Sequence, residues 1–77
     1  MATPNYSIGD LNYETASAHL IKFDPSDAKP DYIGLHSNVE ATDTDEGWVV
    51  YKFTYSGSDI TVIEKARGTW TGRASLF

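Results

Sequence analysis

Residues 48–66 decide the fold of this chain, and they read WVVYKFTY, SGSD and ITVIEKA in succession. Two runs rich in β-branched and aromatic residues flank four turn-forming residues, and this pattern predicts a single β-hairpin. Alternate residues of a strand point to opposite faces, so Val49 and Tyr51 share one face of the first strand. Trp48 and Val50 share the other face. The stretch predicts a small β domain and contains no set of catalytic residues.

Shorter strands and a tail are predicted outside the hairpin. Residues 18–23 (AHLIKF) form a first strand that ends before Pro25, because proline cannot donate to a ladder. Residues 31–36 (DYIGLH) form a second strand, with Gly34 at a bulge or at a close approach of another segment. Residues 67–77 are expected to form a fifth, shorter strand or an extended segment across the sheet. The predicted fold class is all-β, with about five short antiparallel strands in a small sandwich or partly open barrel.

The first 17 residues are polar and show no sustained helical period, so we expect an extended N-terminal arm or tail over residues 1–17. A single small β domain then occupies residues 18–77. Two alternatives stay open for the N-terminal segment: a partly ordered end, or an arm that becomes ordered against a partner. Its large apolar side chains favour the arm, because leaving them in water is unfavourable.

The chain has 77 residues and no cysteine, and its two histidines, His19 and His36, do not form a ligand pair. A chain of this length buries only about 60–65% of the surface that its unfolded form exposes. Domains this small are usually stabilised by disulfides, by a metal or by oligomerisation. Without thiols, and without a pair of histidine ligands, we expect no metal or cofactor. A homo-oligomer, expected to be a trimer, is the remaining form of stabilisation.

The net charge is −5 and is unevenly distributed, with nine acidic residues against two lysines in residues 1–47. Nucleic-acid binding needs a basic face that replaces counterions, so we expect no nucleic-acid partner. The N-terminus lacks the pattern of a signal peptide and no apolar run is long enough to span a bilayer, so no membrane partner is expected. The charge asymmetry fits either head-to-tail contact between subunits or an ordinary solvated surface.

No constellation of residues predicts catalysis. Residues 43–47 (DTDEG) resemble part of a calcium loop, but a third alternating carboxylate and the distal glutamate are missing. A solvated acidic turn explains them more simply. No nucleophile lies in a context that would pair it with a base, and we expect that the protein is not an enzyme.

Large apolar residues near both chain ends and on the hairpin are expected to act as anchors. Those near the C-terminus would close the core or a subunit interface, since exposing them is unfavourable. The alternative is a carbohydrate- or receptor-binding module that uses exposed aromatic side chains of residues 48–55. The candidate interface or anchor residues are Tyr6, Ile8, Leu11, Tyr13, Trp48, Trp70, Leu76 and Phe77.

Four motifs, in this order, form a signature from residue 32 onward. They are Tyr32-Ile33-Gly34, the strand Trp48-Val49-Val50-Tyr51-Lys52, the Ile-rich residues 60–63, and Trp70 followed by Arg73-Ala74-Ser75-Leu76. This signature resembles a group of small tailed-phage proteins and virion-associated segments. The resemblance implies a virion structural protein, assembled in the host cytoplasm, that docks onto other virion proteins at the capsid, the head-fibre or neck, or the tail.

Overall fold

The computed structural model describes residues 8–24 and 29–77, except for the side chain of Ile8. The strands of this part form one antiparallel sheet in the order β1-β2-β3-β4. The elements in chain order are α1 (Ile8–Ser17), β1 (Leu20–Asp24), β2 (Tyr32–His36), β3 (Trp48–Ser56), β4 (Asp59–Gly68) and a 3-10 helix (Arg73–Leu76). The described part is therefore mostly β, with one four-stranded sheet and one short α-helix.

The hairpin predicted over residues 48–66 is confirmed. Strands β3 and β4 pair from Trp48 opposite Gly68 to Ser56 opposite Asp59. The turn needs a residue in the left-handed region of φ, which glycine adopts without strain, and Gly57 supplies it with φ +63°. The register shifts beside Thr54, which leaves Thr61 as an extra residue in β4.

Both faces of the sheet are covered. On the first, here called the helix face, α1 packs over the sheet through Leu11. The opposite face, here called the tail face, is closed by residues after β4 and by the loop over residues 37–47. The buried residues of the helix face are Leu35, Val49, Tyr51, Phe53 and Ile63. Those of the tail face are Ala41, Trp48, Val50 and Trp70, together with Ala66 opposite Val50.

The predicted extended arm is wrong for residues 8–17, which form α1. Among the described side chains of the helix, Leu11 and two carboxylates contact the sheet, so this part of the sequence shows no continuous apolar stripe of the kind that predicts an amphipathic helix. Leu11 packs on the helix-face core, while Asp10 and Glu14 reach Lys65 on β4. The helix is therefore a layer of the β domain.

The predicted fifth strand is also wrong. The residues after Gly68 turn and end in the 3-10 helix Arg73–Leu76. Local hydrogen bonds favour this turn: the backbone N–H of Gly72 donates to Thr69 Oγ1 at 3.0 Å, and that of Arg73 donates to the Trp70 carbonyl at 3.1 Å. The described residues thus form a single sheet covered by a helix and a tail, in place of the predicted sandwich or partly open barrel.

A close approach at Gly34 is confirmed. A Cβ atom on this residue would overlap the six-membered ring of Trp70 and would lie 3.1 Å from Cε3 of Trp48. The missing side chain lets the Trp70 ring lie directly against the backbone of β2. Gly34 therefore sets the depth at which the tail crosses the sheet.

We predict that Gly34→Ala lowers the free energy of unfolding by about 1–3 kcal/mol, because the added methyl overpacks the contact with Trp70. Urea unfolding, with near-UV circular dichroism of the folded state, measures both stability and tryptophan packing. Gly57→Ala is the matched control: its Cβ would meet nothing within 4 Å, so its effect is confined to the backbone. A near-UV spectrum unchanged by Gly34→Ala would contradict the close approach.

Candidate functional site

The two tryptophans form the centre of the tail face. Their ring centroids lie 5.8 Å apart with the planes inclined by 37°, and Trp48 is 0% and Trp70 6% exposed. The indole N–H of Trp48 donates to the carbonyl oxygen of Thr42 at 3.0 Å, which satisfies its one polar atom inside the core. Both rings are therefore packing residues of this chain.

The C-terminal tail is held on the sheet by a cation as well as by apolar contacts. Arg73 places its guanidinium 4.5 Å from the ring centre of Trp70 and donates from Nε and Nη2 to Asp24 Oδ2, at 2.8 and 2.7 Å. The Phe77 ring lies 6.0 Å from that of Tyr32. Together these contacts tie the end of the chain to β1 and β2.

The predicted anchor residues have different environments. Trp48, Trp70, Leu76 and Phe77 meet in the tail-face cluster. On α1, Leu11 packs against the helix-face core, whereas Tyr13 is 77% exposed and points away from the sheet. Tyr6 and the side chain of Ile8 lie outside the described residues. The structure thus brings four of the eight together, and their contacts with one another form core.

The carbohydrate-binding alternative needs aromatic faces that are open to solvent. On β3, Trp48, Tyr51 and Phe53 are buried, and Tyr55 is half-buried with its hydroxyl donating to the carbonyl of Pro30 at 2.7 Å. Stacking a sugar ring on the buried side chains would require the core to open.

A polar network fixes α1 to the helix face. The hydroxyl of Tyr51 donates to Asp10 Oδ2 at 2.5 Å, and Lys65 Nζ lies 2.8 Å from Glu14 Oε2 and 3.3 Å from Asp10 Oδ2. The hydrogen bond from Tyr51, with smaller help from Lys65, lowers the pKa of Asp10 despite partial desolvation. Burial acts to lower the pKa of Lys65, but the bonds to Glu14 and Asp10 outweigh it and raise this pKa.

An open cleft of about 170 Å³ lies between the end of α1 and the strands β2 to β4. Its polar groups are already used in the fold. Glu14 is paired with Lys65 and Arg67. His36 Nε2 lies 2.9 Å from the Glu46 carbonyl, and its Nδ1 accepts the backbone N–H of residue 38 at 3.0 Å. These contacts hold the loop and the helix in place.

Metal ligands do not gather in the part of the chain that the structure describes: no group of three or more His, Cys, Asp or Glu side chains is placed to hold an ion. The same residues contain no helix that is long and apolar enough to cross a membrane.

The exposed apolar residues of β1 are the feature that sequence reasoning missed. Ile21 is 39% and Phe23 50% exposed, and both point to the helix face, opposite Leu35 and Ile33 of β2. Among the described residues, β1 has a neighbouring strand on one side only. This strand and its two side chains, here called the β1 edge, are the candidate interaction site. The alternation in residues 18–23 signals the strand, but its place at the edge depends on the sheet order.

No family model matches this chain, and no curated protein or solved structure is significantly similar to it. The candidate site is therefore defined by the geometry of the chain itself.

We predict that Trp70→Ala lowers the free energy of unfolding by about 3–5 kcal/mol, because it removes a buried ring and leaves a cavity beside Gly34. Far-UV circular dichroism with urea unfolding measures the loss. The exposed residue offers the control Tyr13→Ala, for which a change within about 0.5 kcal/mol is expected. A stably folded Trp70→Ala protein would contradict a core role for the ring.

We predict that Asp10→Asn lowers the urea midpoint at neutral pH and that the difference from the unchanged protein shrinks in acid. A carboxyl group with a lowered folded-state pKa contributes stability that is present above its ordinary pKa of 3.8. That contribution is lost as the pH falls through the folded-state pKa. Urea midpoints measured from pH 7 down to pH 3 test this, with Asp59→Asn at the exposed hairpin end controlling for the loss of one charge. A pH-independent difference would contradict the network.

Proposed function

We propose that this protein is a structural component of a bacteriophage virion, a small homo-oligomeric module that docks onto other virion proteins and acts by binding alone. The observation that supports this most is the convergence of its phage-like signature. Residues of three of its four motifs, which are spread over residues 32–76 of the sequence, meet in one cluster on the tail face, while Ile63 of the remaining motif packs in the helix-face core.

Residues of the first, second and last motifs contact one another on the tail face. Gly34 of the first motif admits the ring of Trp70, and Trp48 of the second motif packs against the same ring. From the last motif, Arg73 lies over Trp70 and Leu76 packs against Gly68. A signature whose residues pack together in this way specifies how the C-terminal tail covers a small sheet. This supports a fold shared with the phage proteins that the chain resembles, and a structural role.

The polar groups of the described residues support a binding role as well. The ion pairs of Lys65 with Glu14 and of Arg73 with Asp24 connect the helix and the tail to the sheet. Two of the exposed apolar side chains, Ile21 and Phe23, lie on the same face of β1, where another protein could cover them together. Ion pairs that stabilise the fold, together with apolar side chains left exposed, are what we expect of a module that assembles with other proteins.

We expect peptides of this chain in purified particles of the phage or prophage whose genome encodes it, at a copy number in proportion to other virion proteins. Density-gradient purification followed by quantitative mass spectrometry measures this. A host cytosolic protein quantified in the same fractions sets the level of carry-over. A particle fraction that contains this chain only at the carry-over level would refute the proposed function.

The role of the N-terminal segment is tested by deleting residues 2–7. A longer deletion would confuse the result, because Asp10, Leu11 and Glu14 hold α1 on the sheet. We expect the shortened protein to keep α1 docked on the sheet and to be incorporated into particles less than the full chain. Equal incorporation of the two proteins would show that the segment is no anchor.

A further inference from the structure

The two edges of the sheet differ in their protection against pairing with another chain. Strand β4 carries a bulge at Thr61, and its Lys65 and Arg67 are held in ion pairs with the helix. Bulges and charged side chains are the usual devices that keep edge strands apart. Strand β1 pairs with β2 without a register shift, and its two helix-face side chains, Ile21 and Phe23, are apolar and exposed.

We propose that the β1 edge is a self-association site, in which β1 pairs antiparallel with β1 of a second copy around a two-fold axis at Phe23. The inference rests on the homo-oligomeric part of the proposed function and names its surface and its partner. Pairing about a two-fold axis continues the sheet from one copy into the next with the helix faces on the same side. The two Phe23 rings then lie opposite each other.

Charge complementarity selects this register. With Phe23 on the axis, Lys22 of each copy lies opposite Asp24 of the other, and both point to the tail face. Opposite charges directly across an antiparallel pair are favourable, so the contact gains two ion pairs related by the axis. In the competing register, with the axis one residue earlier, Lys22 would face Lys22, which is unfavourable.

Both charged groups keep capacity for a second partner. The side chains of Lys22 and Asp24 are 36% and 41% exposed. Arg73 directs both of its hydrogen bonds to Asp24 at one oxygen, Oδ2, so Oδ1 accepts none within the described residues. Lys22 contacts Asp43 with one of the three donors of its ammonium group. The ion pairs within the chain and those between copies can therefore exist together.

The size of the contact predicts its strength. The contact would consist of a five-residue strand with two half-exposed apolar side chains. The surface that it buries is therefore smaller than the roughly 800 Å² that each partner buries in a stable interface. We therefore expect a dimer, in place of the trimer expected from the sequence, and we expect it to form only at high protein concentration in free solution. Inside a particle, neighbouring copies reach effective concentrations of the order of millimolar, which favours such a contact.

The absence of cysteine from the chain allows a direct test by single-cysteine crosslinking. In the variant Phe23→Cys, the two new thiols lie opposite each other across the axis. We expect a covalent dimer after mild oxidation or treatment with a short bis-maleimide. The variant Lys22→Cys reports the competing register, and Tyr13→Cys places a thiol at a more exposed position on the outer face of α1. Both are expected to remain mostly monomeric.

Light scattering coupled to size exclusion, over a range of protein concentrations, gives the second measurement. The unchanged protein should approach the mass of a dimer at high concentration, and Phe23→Glu should remain a monomer with an unchanged fold. A strict monomer at all concentrations, a trimer, or crosslinking of Tyr13→Cys equal to that of Phe23→Cys would each overturn the inference. A monomer that is present in purified particles would overturn it while leaving the virion role intact.

Discussion

The contact between the Trp70 ring and the bare backbone of Gly34 is the constraint on which the rest of the tail face depends. Once the ring lies at this depth, Trp48 packs beside it and Arg73 lies over its outer side. The guanidinium can then reach Asp24 on β1, at the opposite side of the sheet from β4. A segment of about ten residues is thus fixed with few backbone hydrogen bonds, because large rings and one cation provide most of its contacts.

Different interactions stabilise the coverings of the two faces of the sheet. The tail face buries two indoles and has its charges at the rim, so its stability comes from removing apolar surface from water. On the helix face, Asp10 and Glu14 converge on Lys65 beside the hydroxyl of Tyr51. A helix of ten residues is marginal alone, and its docking depends on these polar contacts as much as on Leu11. The lowered pKa of Asp10 therefore makes the docking of α1 on the helix face sensitive to acid.

Local patterns in the sequence predict the hairpin and the close approach at Gly34. Both signals, turn-forming residues between two strands and a glycine within a strand, depend only on residues that are close together in the sequence. Helix α1 could not be predicted in this way, since Asp10 and Glu14 are read as solvent-facing until the sheet supplies Lys65 as their partner. The β1 edge is hidden for a similar reason. Its alternation marks a strand, but whether Phe23 is covered depends on the order of strands and on where α1 lies, and both are non-local properties.

The buried tryptophans of the signature and the exposed apolar side chains of the β1 edge lie on opposite faces of the sheet. Gly34, Trp48 and Trp70 are buried and contact one another, so selection for the fold alone would retain them whatever the protein binds. A partner is chosen by residues that it touches, and here the exposed Ile21 and Phe23 belong to none of the four motifs. Proteins that share the tail-face cluster could thus assemble differently if their β1 edges differ. The fold should be shared more widely than the mode of assembly, because one is specified by the core and the other by a strand of five residues at the edge.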